Sequence, residues 1–172
     1  VIAVTLTRFE MLIAASIGVR RHIGVAANGQ HRSPLGDGDA WGNDIEGACG
    51  EVAFAKVANV YYDGSVNTFT KGGDVGKVQI RTRRKPTYEL IIRPHDRDDD
   101  VFVLVRGVAP RYQVVGWLVA REAKRAEWLH DYGDGAPAYF VPDGALRPIE
   151  DLIAAGREPS SVEVLTARDI PF

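Results

Sequence analysis

Asp74 follows the glycine pair Gly72-Gly73, precedes Val75-Gly76, and leads into a stretch, Lys77 to Arg83, that alternates polar and apolar residues. Glycines on both sides let the backbone turn sharply and leave the carboxylate at the margin of a sheet. In strand spacing Gln79 and Arg81 share one face. A carboxylate, an amide oxygen and a cation held together suit the cutting of a phosphodiester. Oxygen ligands suit Mg²⁺, the ion lowers the cost of making hydroxide, and the cation stabilises charge that builds on the phosphate. Such a site needs a second carboxylate, and the preceding helical stretch offers Glu46 and Glu51. Glu46 is the expected partner of Asn43 in a capping box. That leaves Glu51, set among small and apolar residues, as the better ligand candidate. A plainer reading stands beside this one: Asp74 as a turn former and Glu51 as a solvated helix residue.

The same strand ends in the densest positive stretch of the chain, Arg81, Arg83, Arg84 and Lys85, with Lys71 and Lys77 nearby. The formal net charge is only -2, so attraction to a polyanion must come from a local patch. This basic margin could hold a sugar-phosphate backbone, or it could be a solvated edge that resists strand pairing. Other groups offer less. Cys49 is the only cysteine, which excludes an internal disulfide and a cysteine-rich zinc site, and it reads as packing on a helix. His22, His31, His95 and His130 have no short ligand spacing, and the run Asp96 to Asp100 lacks the pattern of a calcium loop. Trp117, after Gly116 in a strand, reads as core. There is no phosphate loop of the Walker type and no nucleophile-base pair.

The elements that must position these groups follow from period and punctuation. Residues 6–26 carry Phe9, Leu12, Ile13, Ile17 and Ile23 at near-helical spacing, with Thr5 or Thr7 as cap and Gly18 weakening the middle; they predict a helix lying over a sheet. Residues 27–43, rich in Gly, Asp, Asn and Ser, predict an exposed loop. A second helix is expected from Asp44 to near Asn59, with Ile45, Cys49, Val52 and Lys56 at steps of three or four. After the turn dipeptide Asp63-Gly64, residues 66–71 alternate, and strands are expected at Lys77 to Arg83, Tyr88 to Arg93, Val101 to Arg106 and Tyr112 to Val119. Val101 to Val105 is apolar on both faces, as in a central strand covered on both sides. A short surface helix within 120–130, an extended piece at Tyr139 to Val141, a short helix from Ile149 to Ala155 and an edge strand at Val162 to Leu165 complete the reading.

A chain of 172 residues with 45% hydrophobic and 26% charged residues is an ordinary globular composition, and one domain over 1–172 is expected, with a core at 44–148 and a small tail at 149–172. The order of elements suits an α/β fold with a mixed central β-sheet flanked by helices, not a dinucleotide-binding βαβ unit. No apolar run is long enough to cross a bilayer, so no membrane partner is expected and a cytoplasmic location is the default. The chain starts at Val1, and a leader removed from in front of it stays open.

Gly73-Asp74, then Gln79-Ile80-Arg81 on the next strand, with Glu51 on the helix before them, resemble the active-site pattern of the PD-(D/E)XK superfamily, the restriction-endonuclease-like nucleases. The wider stretch, from Glu51-Val52-Ala53-Phe54 through Val60-Tyr61-Tyr62-Asp63-Gly64 to Val114-Val115-Gly116-Trp117-Leu118, is similar to small phage-encoded or phage-associated members, and the resemblance covers about residues 45–148. It implies a restriction-endonuclease-like core and a nuclease, endo- or exo-acting, that hydrolyses DNA with Mg²⁺ or Mn²⁺. By resemblance Asp74 and Glu51 hold the ion, the carbonyl of Ile80 is a further ligand, Gln79 stands at the acidic position and Arg81 at the lysine. Lys77, Arg83, Arg84 and Lys85 would contact the DNA backbone. Gln79 removes a negative charge, Gly73 replaces a proline, and Arg81 can clamp phosphate but cannot cycle as a base. A catalytically degenerate DNA- or protein-binding module on the same fold is therefore the alternative, and a homodimer or a host or phage protein partner is compatible with either.

Overall fold

The computed structural model describes residues 1–27, 40–64, 73–131 and 136–156. The chain opens with a strand that its sequence pattern does not announce, β1 (Ile2–Thr5), followed by α1 (Arg8–Ala27) and α2 (Ala40–Ala58). Then come β2 (Val78–Arg83), β3 (Leu90–Ile92), β4 (Val101–Val108) and β5 (Arg111–Val119). A short α3 (Ala120–Ala123), β6 (Leu129–His130), β7 (Ala138–Val141) and α4 (Ile149–Gly156) complete it, with 3-10 turns at Ala126–Trp128 and Asp143–Ala145. His31, Lys71, the alternating run at 66–71 and the strand expected at Val162 to Leu165 lie outside the described residues.

A mixed four-stranded sheet in the order β1-β5-β4-β2 is the centre of the fold, with β2 parallel to β4 and the other pairs antiparallel. Phe102, Val103, Leu104, Val105 and Arg106 of β4 are all buried, as the two-sided apolar run predicts. Val103 and Val105 pack with α2 and the inner face of α1. Phe102 and Leu104 pack on the other face with Leu90, Ile92, Val141 and Leu118. That second face is covered mainly by a small antiparallel sheet, β3-β7-β6, where the sequence leads one to expect helices on both sides. All three of its strands are only two to four residues long, too short for alternation to declare a period.

The helices pack more closely than their pattern suggests. α1 runs unbroken through Gly18, and glycine is required there because a Cβ would stand 2.6 Å from Ile45 Cα: α1 and α2 meet backbone to backbone. Small residues therefore face inward, and α1 lies chiefly on α2, not on the sheet. Of the apolar set expected to face the core, Ile17 is buried, while Phe9, Leu12, Ile13 and Ile23 are exposed. α1 is capped at Thr7: its Oγ1 accepts from Glu10 N–H at 3.2 Å, and the Glu10 carboxylate accepts from Thr7 N–H at 2.6 Å.

α2 is sandwiched between α1 and the sheet, so Ala48 through Ala55 are buried continuously. It starts at Ala40, which places Asn43 and Glu46 inside the helix and removes the expected capping box. Glu46 instead reaches the sheet, accepting from the Tyr112 hydroxyl at 2.8 Å and from Ala109 N–H at 3.4 Å. Gly50 lets α2 settle on β2, since a Cβ there would be 1.9 Å from Thr82 Oγ1. This contact sets the depth at which the next residue, Glu51, is held.

Candidate functional site

Glu51 is 4% exposed, one of three buried polar or charged residues among those described. A buried carboxylate must be compensated, and its partners come from α1 and from the chain just after α2. Arg21 donates from both Nη atoms to both carboxylate oxygens, the bond to Oε2 being 2.6 Å. The Tyr62 hydroxyl donates to Oε2, also at 2.6 Å.

Asp74 sits where a tight antiparallel turn enters β2. Val75 N–H and Val78 N–H bond each other's carbonyls at 3.1 Å, and Asp74 Oδ2 accepts from Ile80 N–H at 2.7 Å. The glycine-flanked turn expected from the sequence thus places the carboxylate on the outer edge of β2, which is the edge strand of the four-stranded sheet. Among the described residues Asp74 Oδ1 accepts no hydrogen bond.

The charge of Asp74 is felt at Arg21, Glu51 and Tyr62, so these four groups form one electrostatic cluster. Burial pushes the Glu51 carboxyl above the usual range and the nearby Asp74 charge adds to this, against the opposing pull of Arg21 and Tyr62. Burial disfavours the Arg21 cation, but the Glu51 carboxylate more than offsets it and the guanidinium stays charged. Burial and Glu51 hold the Tyr62 phenol firmly protonated, which keeps its proton available for the bond to Glu51. With Glu51 and Asp74 ionised, the cluster carries a formal charge of −1.

The structure thus brings Glu51 and Asp74 together and sends the next two candidates elsewhere. Ile80 packs into the helix-side core, so by alternation Gln79 and Arg81 face the opposite side of β2. There the Arg81 guanidinium lies 4.7 Å over the Phe102 ring and pairs with Asp96 at 3.2 Å. It is the N–H of Ile80 that meets Asp74.

Two residues of the cluster do not stand out in the sequence. Arg21 continues the stripe Ala14, Ile17 and Gly18 on the buried face of α1, and an arginine on such a stripe demands a buried acid. Tyr62 carries no comparable signal, for its neighbour Tyr61 is 88% exposed.

The basic residues divide between the two ends of β2. Lys77 is exposed in the turn beside Asp74, while Arg83, Arg84 and Lys85 lie at the far end, about 20 Å away at the rise of a strand. Arg83 is half-buried over the Tyr88 ring at 4.6 Å. Burial pulls its pKa down, and the charges of Arg93 and Arg106 pull it further. Arg84 and Lys85 are exposed.

The remaining candidates are engaged structurally. Asp96 accepts from Arg93 N–H at 2.8 Å, and Asp98 pairs with Lys124 at 2.6 Å, so this loop is a salt-bridged turn. His22 is buried, 2.8 Å from Asp44 Oδ2 and stacked on Trp41, and His95 and His130 are exposed. Cys49 is buried among the α2 residues, in keeping with a packing role.

Among the described residues no group of three or more His, Cys, Asp or Glu side chains is close enough to cage a metal ion. Mg²⁺ does not require one, since it commonly takes one or two carboxylates and keeps waters or substrate phosphates for the rest. Two acids, one with an oxygen unbonded among the described residues, and a residual charge of −1 fit an ion held weakly and completed by substrate. They do not fit a tightly resident one, because Arg21 already neutralises Glu51. No helix among the described residues is long and apolar enough to cross a membrane. No family model matches the chain, and no curated protein or solved structure matches it either.

Proposed function

We propose that the chain is a restriction-endonuclease-like phosphodiester hydrolase that acts on DNA with Mg²⁺ or Mn²⁺. One observation carries the reading: Glu51 from the middle of α2 and Asp74 from the edge of β2 share a cluster with Arg21 and Tyr62. A half-buried cluster of four ionisable groups around the buried Glu51 at a sheet margin is costly, and such clusters concentrate at functional sites. Bound there with the substrate, the divalent ion would supply a cheaper hydroxide and charge stabilisation at the phosphate.

The chain's own residues divide the remaining work. Asp74, with one oxygen committed to Ile80 N–H, keeps the other for an ion or a water. Tyr62 fixes the orientation of Glu51, whose raised pKa suits it to accept a proton. Arg21, not Arg81, is the cation beside the two acids, and it can exchange one of its Glu51 bonds for a phosphate oxygen. Lys77, exposed in the adjoining turn, is the nearest additional phosphate contact from the basic set.

The second reading, a catalytically degenerate DNA- or protein-binding module, is favoured by the two-bond clamp of Arg21 on Glu51 and by the pairing of Arg81 with Asp96. Calorimetric titration with Mg²⁺ and Mn²⁺, on the native chain and on Asp74→Ala, separates the two when followed by cleavage assays on single-stranded and duplex DNA. Metal binding that disappears in Asp74→Ala, together with metal-dependent cleavage, supports the hydrolase. No cleavage of any DNA form in the presence of either ion supports the binding module.

A further inference from the structure

The opposite end of the four-stranded sheet carries a second concentration of positive charge. An open groove of about 460 Å³ runs between β1, the start of β5 and the chain leaving β2. Its floor is a bare patch of sheet on which Ala3 faces Gln113 and Thr5 faces Arg111 across the β1–β5 ladder. Arg84 and Pro86 line it from the segment after β2, and Arg106 lines it from β4. Among the described residues no Asp or Glu lines it.

The described arginines divide between those that hold a carboxylate and those, such as Arg8, Arg20 and Arg93, that hold none among the described residues, so it is the place of the unpaired ones that is informative. Arg21, Arg81, Arg106, Arg121 and Arg147 each hold a carboxylate. Among the described residues Arg84 and Arg111 hold none, although both are exposed and line the same groove. Beside them the positive charge is in excess. Arg83 and Arg106 are register partners on β2 and β4, and Arg106 is satisfied by Asp143 and by the carbonyl of Tyr88. Arg83 has no such partner for its Nε, which is buried without an acceptor.

The groove is larger than a lone phosphate needs and falls within the range that accommodates a nucleotide-sized ligand. Tyr88 does not line the groove itself, but its carbonyl accepts from the groove residue Arg106 at 2.7 Å, and its ring lies under the guanidinium of Arg83 at 4.6 Å and the amine of Lys85 at 5.2 Å. Basic grooves flanked by an aromatic ring are the usual surface for an unpaired strand, whose phosphates follow the cations and whose bases can stack.

We propose that this groove is a phosphate-binding site for a single nucleic-acid strand, with Arg84 and Arg111 donating to its phosphodiester oxygens. Guanidinium groups suit that role because their planar fork matches two oxygens at once. The inference rests on the hydrolase reading only for the class of ligand, since the groove lies at the other end of β2 from Asp74. A strand bound here would be anchored at a distance from the Glu51–Asp74 cluster.

The test is fluorescence anisotropy of a labelled short oligothymidylate against the full chain, in chelator and over a series of salt concentrations. Native protein is compared with Arg84→Ala, Arg111→Ala and the double variant. Both arginines are exposed and without acidic partners, so their removal leaves the fold intact, which circular dichroism checks. For single strands the slope of log K against log salt falls by about 0.7 for each phosphate that is no longer neutralised, so each arginine variant should show a slope shallower by about that much and the double variant by about twice as much. Inorganic pyrophosphate should compete. Unchanged affinity and slope in the double variant, no binding by the native chain, or tighter binding of a duplex would overturn the proposal. Failure of the Glu51–Asp74 reading registers elsewhere, as absent Mn²⁺ binding and cleavage, and leaves these affinities unaltered.

Discussion

Arg21 of α1 and Glu51 of α2 are joined through both oxygens of the carboxylate, with side chains only 21% and 5% exposed. The pair bridges two helices whose backbones already touch at Gly18 and Ile45, so the ion pair and the helix contact support each other. Breaking a buried pair by removing one partner leaves the other charge uncompensated, at a cost of about 3 kcal/mol, whereas replacing both by apolar groups can be nearly neutral. Arg21→Met should therefore lower the urea midpoint markedly, and Arg21→Met with Glu51→Leu should recover most of the loss. A double variant as unstable as the sum of the singles would show that the two residues act independently.

The acid behaviour of Glu51 gives a prediction with a definite sign. Burial and Asp74 raise its pKa in the folded chain, so the folded state holds a proton that the unfolded state has released. This contribution favours the folded state fully below the unfolded pKa, near the free side chain's value of about 4.3, and is lost as pH rises through the folded pKa. Relative to native protein, Glu51→Gln should show a flatter fall in stability as pH rises from the acid range, read from urea melts at a series of pH values. Parallel curves for the two proteins would mean that Arg21 and Tyr62 hold the carboxyl near its ordinary value.

The legibility of the fold and site varies with the length of the signal. β2, β4 and β5 are readable because six to nine residues suffice to show alternation or a two-sided apolar run, and Asp74 is readable from its glycines. β1 is four residues and β6 two, too short to carry a period of their own, whereas β7 coincides with the extended piece expected at Tyr139 to Val141 between flanking prolines. The inward face of α1 is not the one that hydrophobicity points to, because backbone contact at Gly18 selects small residues and leaves Phe9 and Leu12 outside. The alternation that puts Gln79 and Arg81 on one face is legible, but not that this face is the one away from α2. That depends on which side of β2 receives the helix, a fact of packing that strand periodicity alone does not contain.

Gly50 tests that packing directly. An added Cβ would stand 1.9 Å from Thr82 Oγ1 and 2.9 Å from its other side-chain carbons, so α2 must lift from β2 or Thr82 must move. Overpacking of this kind costs about 1–3 kcal/mol. Gly50→Ala should destabilise by that amount and also disturb Glu51, the next residue. Thr82→Ala, which gives up only a long 3.4 Å bond to the Gly47 carbonyl, should rescue much of the loss. Equal destabilisation of Gly50→Ala with and without Thr82→Ala would place the helix elsewhere.

Arg81 distinguishes a site arranged as the motif suggests from the arrangement found here. Its guanidinium is held against Phe102 and Asp96 on the face of β2 away from the helices, while Arg21 supplies the cation beside Glu51 and Asp74. The contacts of Arg81 are partly exposed and contribute about 1 kcal/mol together. Arg81→Met should thus cost a little stability and leave Mn²⁺ affinity unchanged, whereas Asp74→Asn should abolish the binding with little change in fold, since the amide oxygen can still accept from Ile80 N–H. Calorimetry and urea melts on the same three proteins separate the effects. If Arg81→Met lowers metal affinity as far as Asp74→Asn does, with no loss of stability, then Arg81 reaches the carboxylates and β2 must turn its other face toward α2.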